Sequence, residues 1–105
     1  MALPRNLDID LLRSFAVIAA EQNISRAAER LLRNQSTLSL QLKRLEDALG
    51  SQLFIRTPRR LFLTQDGEML LGYAQQMLRL NDELITRLQE PQLEGMVRLG
   101  VPEDF

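Results

Sequence analysis

The sequence predicts a mainly α fold: three short helices and a β-hairpin in one small domain, followed by a long helix. Three observations carry this. Apolar residues recur at helical spacing in three successive segments up to Leu49. Two short runs with strand propensity, Leu53-Phe54-Ile55 and Leu61-Phe62-Leu63, then flank a turn that contains Pro58. From Thr64 a wide helical stripe continues to about Gln89, with Pro91 beyond it.

The first helix starts at an Asp8 or Asn6 cap and runs to about Gln22. Leu12, Phe15, Ala16 and Ala19 form its apolar stripe, widened by Leu11 and Ile18. It reads as scaffold. Ser25 caps the second helix, with Ile24 before it as a hydrophobic staple, and Ala27, Ala28, Leu31 and Leu32 give that helix a closely packing face. Arg33-Asn34 interrupts the pattern, and Asn34 caps a third helix. There Leu38, Leu42, Leu45 and Leu49 line one face, while Gln35, Ser36, Thr37, Ser39, Gln41, Lys43 and Arg44 line the other. Gly50 ends this helix in a left-handed conformation. Glu46 and Asp47 sit where the helix dipole disfavours acids, so a cationic partner is expected from Arg26 or Arg30.

A helix anchored by one side that offers amides, hydroxyls and cations on the other suits base edges and phosphates. Residues 25–49 therefore read as a helix-turn-helix with its recognition helix at 35–49. The hairpin at 53–64 then reads as a wing. Arg56, Arg59 and Arg60 lie around its tip, a placement suited to phosphates or the minor groove. A merely solvated basic loop is the plainer reading of those arginines taken alone. Thr64 caps the long helix, with Asp66 and Glu68 in its first turn. Along it Leu70, Met77 and Leu84 repeat every seven residues, as do Leu71, Leu78 and Ile85, and Ala74, Asn81 and Leu88. One small domain does not cover so broad a face. Part is expected on the first helix and part on a second copy, with Asn81 fixing register. Residues 93–101 alternate like an incoming strand, as at the front of a longer protein.

Composition sets bounds. The chain has 105 residues, 45% of them apolar, enough for one small domain and an accessory element. Its longest nearly unbroken apolar run, Phe15 to Ala20, is too short to span a bilayer, and the first ten residues lack a signal peptide's apolar region. With no cysteine and no histidine, disulfides, cysteine metal sites and the usual general base are excluded. No Gly-rich phosphate loop or metal-spaced cluster is present, so an enzyme has almost no support, and no cofactor is expected. The net charge is −1, but its distribution is uneven. Residues 26–60 carry eight Lys or Arg against three Asp or Glu; residues 61–105 carry three against eight. A basic middle beside an acidic tail localises positive potential.

In order and spacing, Asp10-Leu11-Leu12-Arg13-Ser14-Phe15, Ser25-Arg26-Ala27-Ala28-Glu29-Arg30-Leu31, Gln35-Ser36-Thr37-Leu38-Ser39 and Leu42-Lys43-Arg44-Leu45-Glu46 form one series. Leu49-Gly50, Leu53-Phe54, Arg59-Arg60, Leu63-Thr64 and Gly67 continue it. This series resembles the N-terminal DNA-binding region of LysR-type transcriptional regulators over nearly the whole chain. Gly95-Met96-Val97-Arg98-Leu99-Gly100 looks like that family's passage to its effector-binding domain.

The resemblance implies a winged helix-turn-helix at 1–64, a linker helix at 65–90 that pairs in a homodimer, and a hinge and first strand at 91–105. It implies a cytoplasmic bacterial regulator that reads an interrupted palindrome in double-stranded DNA. Any small-molecule effector would bind a C-terminal domain beyond these residues. By the resemblance Gln35, Ser36, Ser39 and Leu40 match base-contacting positions, with Thr37 on the same turn. The minor-groove arginine matches Arg59 or Arg60. Ser25, Arg33, Asn34, Lys43, Arg44 and Arg56 complete the phosphate set. Leu40 is apolar where the family generally has a polar or basic residue, which suits a thymine methyl. Arg33 replaces a typically apolar turn residue and is expected to make the turn less buried and to add a phosphate contact. The competing reading is a helical protein-interaction module whose basic face meets an acidic partner.

Overall fold

The structure, a computed structural model, describes residues 6–95, with side chains through residue 90. Its elements are α1 (Ile9–Glu21), α2 (Ile24–Leu31), α3 (Gln35–Leu49), β1 (Phe54–Arg56), β2 (Leu61–Leu63) and α4 (Gln65–Gly95). The fold is mainly α, a helix-turn-helix with a two-stranded wing and a long final helix.

Helix α1 lies at the centre because its apolar face serves every neighbour. Leu12, Phe15 and Ile18 are fully buried among Ala27 and Ala28 of α2, Leu38, Leu42 and Leu45 of α3, and Ala74 and Leu78 of α4. Each large side chain so buried contributes about 1.5–3 kcal/mol. The alanines let α2 approach closely. Phe15 and Phe54 meet at a ring separation of 5.4 Å, tilted by 54°.

The caps differ from expectation at one point. Asp8, not Asn6, caps α1: its carboxylate accepts from the Asp10 N–H at 2.8 Å. Asn23, not Ser25, caps α2, accepting from the Arg26 N–H at 2.9 Å. Gln22 ends α1 in the left-handed region, which leaves only Asn23 as extended backbone between the two helices. Ile24 becomes the first helical residue, and Ser25 falls within the first turn. Helix α2 ends on Leu32 at φ 58°, where the Leu32 N–H reaches the Glu29 carbonyl and the Arg33 N–H the Ala28 carbonyl. This left-handed cap turns the Leu32 side chain outward, 92% exposed, so Leu32 does not join Ala27, Ala28 and Leu31 as expected. Asn34 caps α3 through the Thr37 N–H at 2.8 Å, and Gly50 ends it at φ 65°.

The strands pair antiparallel with Phe54 opposite Leu63, Ile55 opposite Phe62 and Arg56 opposite Leu61. Leu53, Phe54 and Leu61 bury the inner face. The Leu61 N–H donates to the Gln22 carbonyl at 3.0 Å, which ties β2 to the C-terminus of α1. Thr64 caps α4, accepting from the Gly67 N–H at 3.0 Å while its hydroxyl donates to the Gln52 carbonyl at 2.7 Å. A Cβ at Gly67 would lie 2.2 Å from the Leu53 carbonyl oxygen, so the helix can start there only with glycine.

Helix α4 extends past the expected end near Gln89 and includes Pro91. Proline removes one helical hydrogen bond, but a helix already formed over many turns needs no new nucleus to continue. Residues 91–95 are thus helical where a hinge and the start of the strand expected over 93–101 were anticipated; the rest of that strand, residues 96–101, lies outside the described residues. A bidentate pair from Arg13 to Asp82, at 2.9 and 3.3 Å, holds α4 against α1.

Candidate nucleic-acid interface

Helix α3 buries Leu38, Leu42 and Leu45 and half-buries Leu49. The helical repeat then fixes what faces out. Ser36, Leu40 and Lys43 follow one another along the exposed side, with Thr37 and Arg44 on one flank and Gln35 and Ser39 on the other. All are exposed except Ser39, which is half-buried. The Asn34 carboxamide oxygen accepts from both the Thr37 N–H and the Ser36 hydroxyl, so one cap orders the backbone and a candidate reading residue together. The first-turn amides and the positive end of the helix dipole suit a phosphate. Leu40, 48% exposed, lies in the middle of this polar face.

Ser25 lies beside this first turn and donates to the Gln35 carboxamide oxygen at 2.9 Å. Two expected members are turned inward. The Gln41 oxygen accepts from the buried Ser14 hydroxyl at 3.0 Å and from the Arg33 guanidinium at 3.1 Å. Arg33 also donates to Ser14 at 3.2 Å and to both oxygens of Asp10 at 3.1 and 3.0 Å. Its guanidinium thus cross-links α1, the turn and α3. A fork-shaped donor meets the two oxygens of a carboxylate with two parallel charge-assisted hydrogen bonds.

The cationic partner of Glu46 is also corrected. Arg30 pairs with Glu21 at 3.1 Å. Glu46 instead accepts from the Leu53 N–H at 2.8 Å and faces Arg56 of β1 at 3.7 Å. The acid near the end of α3 therefore anchors the wing, and Arg56 is partly neutralised there. At the wing tip the Thr57 hydroxyl donates to the Arg60 carbonyl at 2.7 Å and accepts from the Arg60 N–H at 3.1 Å. Arg60 lies over the Phe62 ring, 5.8 Å from its centroid. Among the described residues Arg44 and Arg59 form no ion pair, and Lys43 has only a long exposed contact to Asp47 at 3.8 Å. These cations remain available to an external anion.

Helix α4 presents a different stripe from the one expected. Ala74 and Leu78 are buried in the chain's own core, with Leu70, Leu71 and Met77 partly buried against it. Leu84, Ile85 and Leu88 are exposed as anticipated, and so are Met69, Tyr73 and Leu80, which sequence reading missed. Asn81 is half-buried and donates to Asp82 at 3.2 Å. Met69, Tyr73, Met77, Leu80, Leu84 and Leu88 fall at helical spacing along one side, adjacent to the face that packs on α1. A signal existed: Tyr73, Met77, Leu80 and Leu84 keep alternating steps of four and three, as a coiled-coil seam does.

Residues 9–68 match the bacterial regulatory helix-turn-helix proteins of the lysR family. The chain belongs to this family. Among curated relatives it is 52% identical over 103 residues to the HTH-type transcriptional regulator DgdR of Burkholderia cepacia, covering 98% of this chain and 35% of that protein. It is 39% identical over 99 residues to the HTH-type transcriptional regulator PecT of Dickeya dadantii, covering 94% and 31%. The chain therefore spans about a third of the length of these relatives. Of solved structures, the BenM DBD complex with catB site 1 DNA superposes with a TM-score of 0.78 at 30% identity, over 82% of this chain and 96% of that one. The CbnR DBD–DNA complex gives 0.75 at 29%, over 82% and 99%. No described helix is long and apolar enough to cross a membrane.

Proposed function

We propose that this chain is the DNA-reading part of a bacterial cytoplasmic transcription regulator, and that it binds an interrupted palindrome as a homodimer. The carrying observation is the first two turns of α3, where Gln35, Ser36, Thr37 and Leu40 stand exposed on a helix whose opposite side is locked into the core. In this reading α3 enters the major groove. Gln35 and Ser36 read base edges, Ser39 and Thr37 assist, and Leu40 meets a thymine methyl. Lys43, Arg44 and the first-turn amides around Asn34 hold phosphates, and Arg59 enters the minor groove. Arg59 is favoured over Arg60 because Arg60 is stacked on Phe62. The DNA complexes of the similar BenM and CbnR domains support this docking. The exposed stripe of α4 supports pairing, since so much apolar surface on one helix fits a second copy better than water.

Selection from a random duplex library at near-physiological salt tests the reading. Enrichment of an interrupted inverted repeat is expected, with affinity falling steeply as salt rises. Failure of any sequence to enrich, with retention lost at higher salt, would move the chain to the protein-interaction module.

A further inference from the structure

The Ser25 hydroxyl has no capping task, because Asn23 caps α2. It donates instead, across ten residues of sequence, to the carboxamide oxygen of Gln35 at the start of α3. A surface glutamine has three rotatable bonds and ordinarily samples many rotamers, all of which must be ordered on binding. The hydroxyl removes that freedom at one end of the side chain. It also selects a polarity. A free carboxamide offers an acceptor and a donor together, the pair that matches the N6 and N7 of adenine. The oxygen keeps a second lone pair, but because it faces Ser25 the other arm of the planar carboxamide, the Nε2 donor, points away from Ser25 and is the one turned toward a ligand. A donor matches the keto oxygens of the major groove, guanine O6 or thymine O4.

We propose that Ser25 is a positioning residue for base readout, holding Gln35 by its oxygen so that its amide donates to a keto-bearing base. The proposal rests on α3 being the DNA-reading helix. It differs from the phosphate contact expected of Ser25 from the sequence, because here the hydroxyl donates to Gln35.

The test takes the sequence enriched by the 105-residue wild-type chain and measures affinity for every single base-pair change in it. Wild type, Ser25→Ala, Ser25→Thr, Gln35→Ala and the Ser25→Ala/Gln35→Ala double variant are compared. Ser25→Ala is expected to reduce discrimination at one base pair, the one Gln35→Ala affects, by roughly two- to tenfold, the scale of one hydrogen bond. Discrimination elsewhere and the melting temperature stay unchanged. Ser25→Thr retains the wild-type pattern, and Ser25→Ala adds nothing once Gln35 is alanine. A base analogue lacking the keto oxygen at that position weakens wild type and leaves Gln35→Ala unaffected. A uniform loss on all sequences, an additive double variant, or a Ser25→Thr defect equal to that of Ser25→Ala overturns the positioning role. An analogue without effect overturns the polarity. If wild type enriches no sequence, the DNA-reading assignment itself fails; if it does and Ser25→Ala is indistinguishable from it, only the role of Ser25 fails.

Discussion

Two residues at the ends of α3 illustrate how a side chain is recruited by what stands next to it. Gln35, at the start, is exposed and held only by Ser25, so its removal should leave folding intact. Gln35→Ala is expected to cost roughly 1–3 kcal/mol at one operator position and to relax choice there. Binding titrations on operators changed at that position check this; an equal loss on all sequences would place Gln35 with the phosphate contacts. Glu46, near the other end, is mostly buried and accepts the Leu53 N–H as the chain leaves α3 for the wing. Glu46→Ala strands that donor and is expected to destabilise by about 1–3 kcal/mol in urea unfolding. Glu46→Gln keeps an accepting oxygen and should lose less. Equal stability of all three proteins would show that the contact does not matter.

Between elements, the pairing of α1 with α4 depends on one charged clamp beside an apolar seam. The hydrogen bonds from Arg13, then that from Asn81, hold the Asp82 carboxyl below the usual carboxylate range, and Asp82 in turn raises Arg13. A carboxylate with a lowered native pKa contributes stability above its unfolded value, near about 3.9. That contribution is lost as pH falls through the lower native value. Asp82→Asn should therefore melt below wild type at neutral pH, and the gap should close in acid below about pH 4. Parallel melting curves across that range would remove the clamp as a source of stability. Because both side chains are well exposed, the neutral-pH gap should be small.

On the scale of the whole molecule, the apolar surface of α4 divides between two uses. Ala74 and Leu78 complete the domain's own core, whereas Tyr73, Leu80, Leu84 and Leu88 remain exposed beside it. Replacing Leu80 and Leu84 together by Glu should leave the helical fold of each chain intact, since neither is buried in the chain, and lower the melting temperature only through the lost linkage to dimerisation. It should convert the proposed dimer to monomer in sedimentation equilibrium at micromolar concentration. Affinity for a two-half-site operator should fall with it, through loss of the linked second contact. An unchanged mass would sink the seam assignment.

The sequence by itself determined the elements and their order. Helical spacing located α1 and the apolar side of α3, turn chemistry located the wing, and Asn34, Gly50 and Thr64 stated their caps because such signals act within a few residues. It also named the exposed residues of α3 apart from Gln41 and the half-buried Ser39, since burying Leu38, Leu42 and Leu45 leaves the helix only one other side. Partnerships over distance were a matter for the tertiary structure. Whether Ser25 or Asn23 caps α2, whether Arg33 faces water or Asp10, and which cation answers Glu46 depend on where other helices and strands place their groups. The division of the α4 stripe has the same origin. All its apolar residues look alike along the chain, and only the docking of α1 decides which are core and which remain exposed. Helical periodicity is a local property of the backbone, whereas the partner of a charge or a hydroxyl is whichever group folding brings within about 3 Å, the reach of a hydrogen bond.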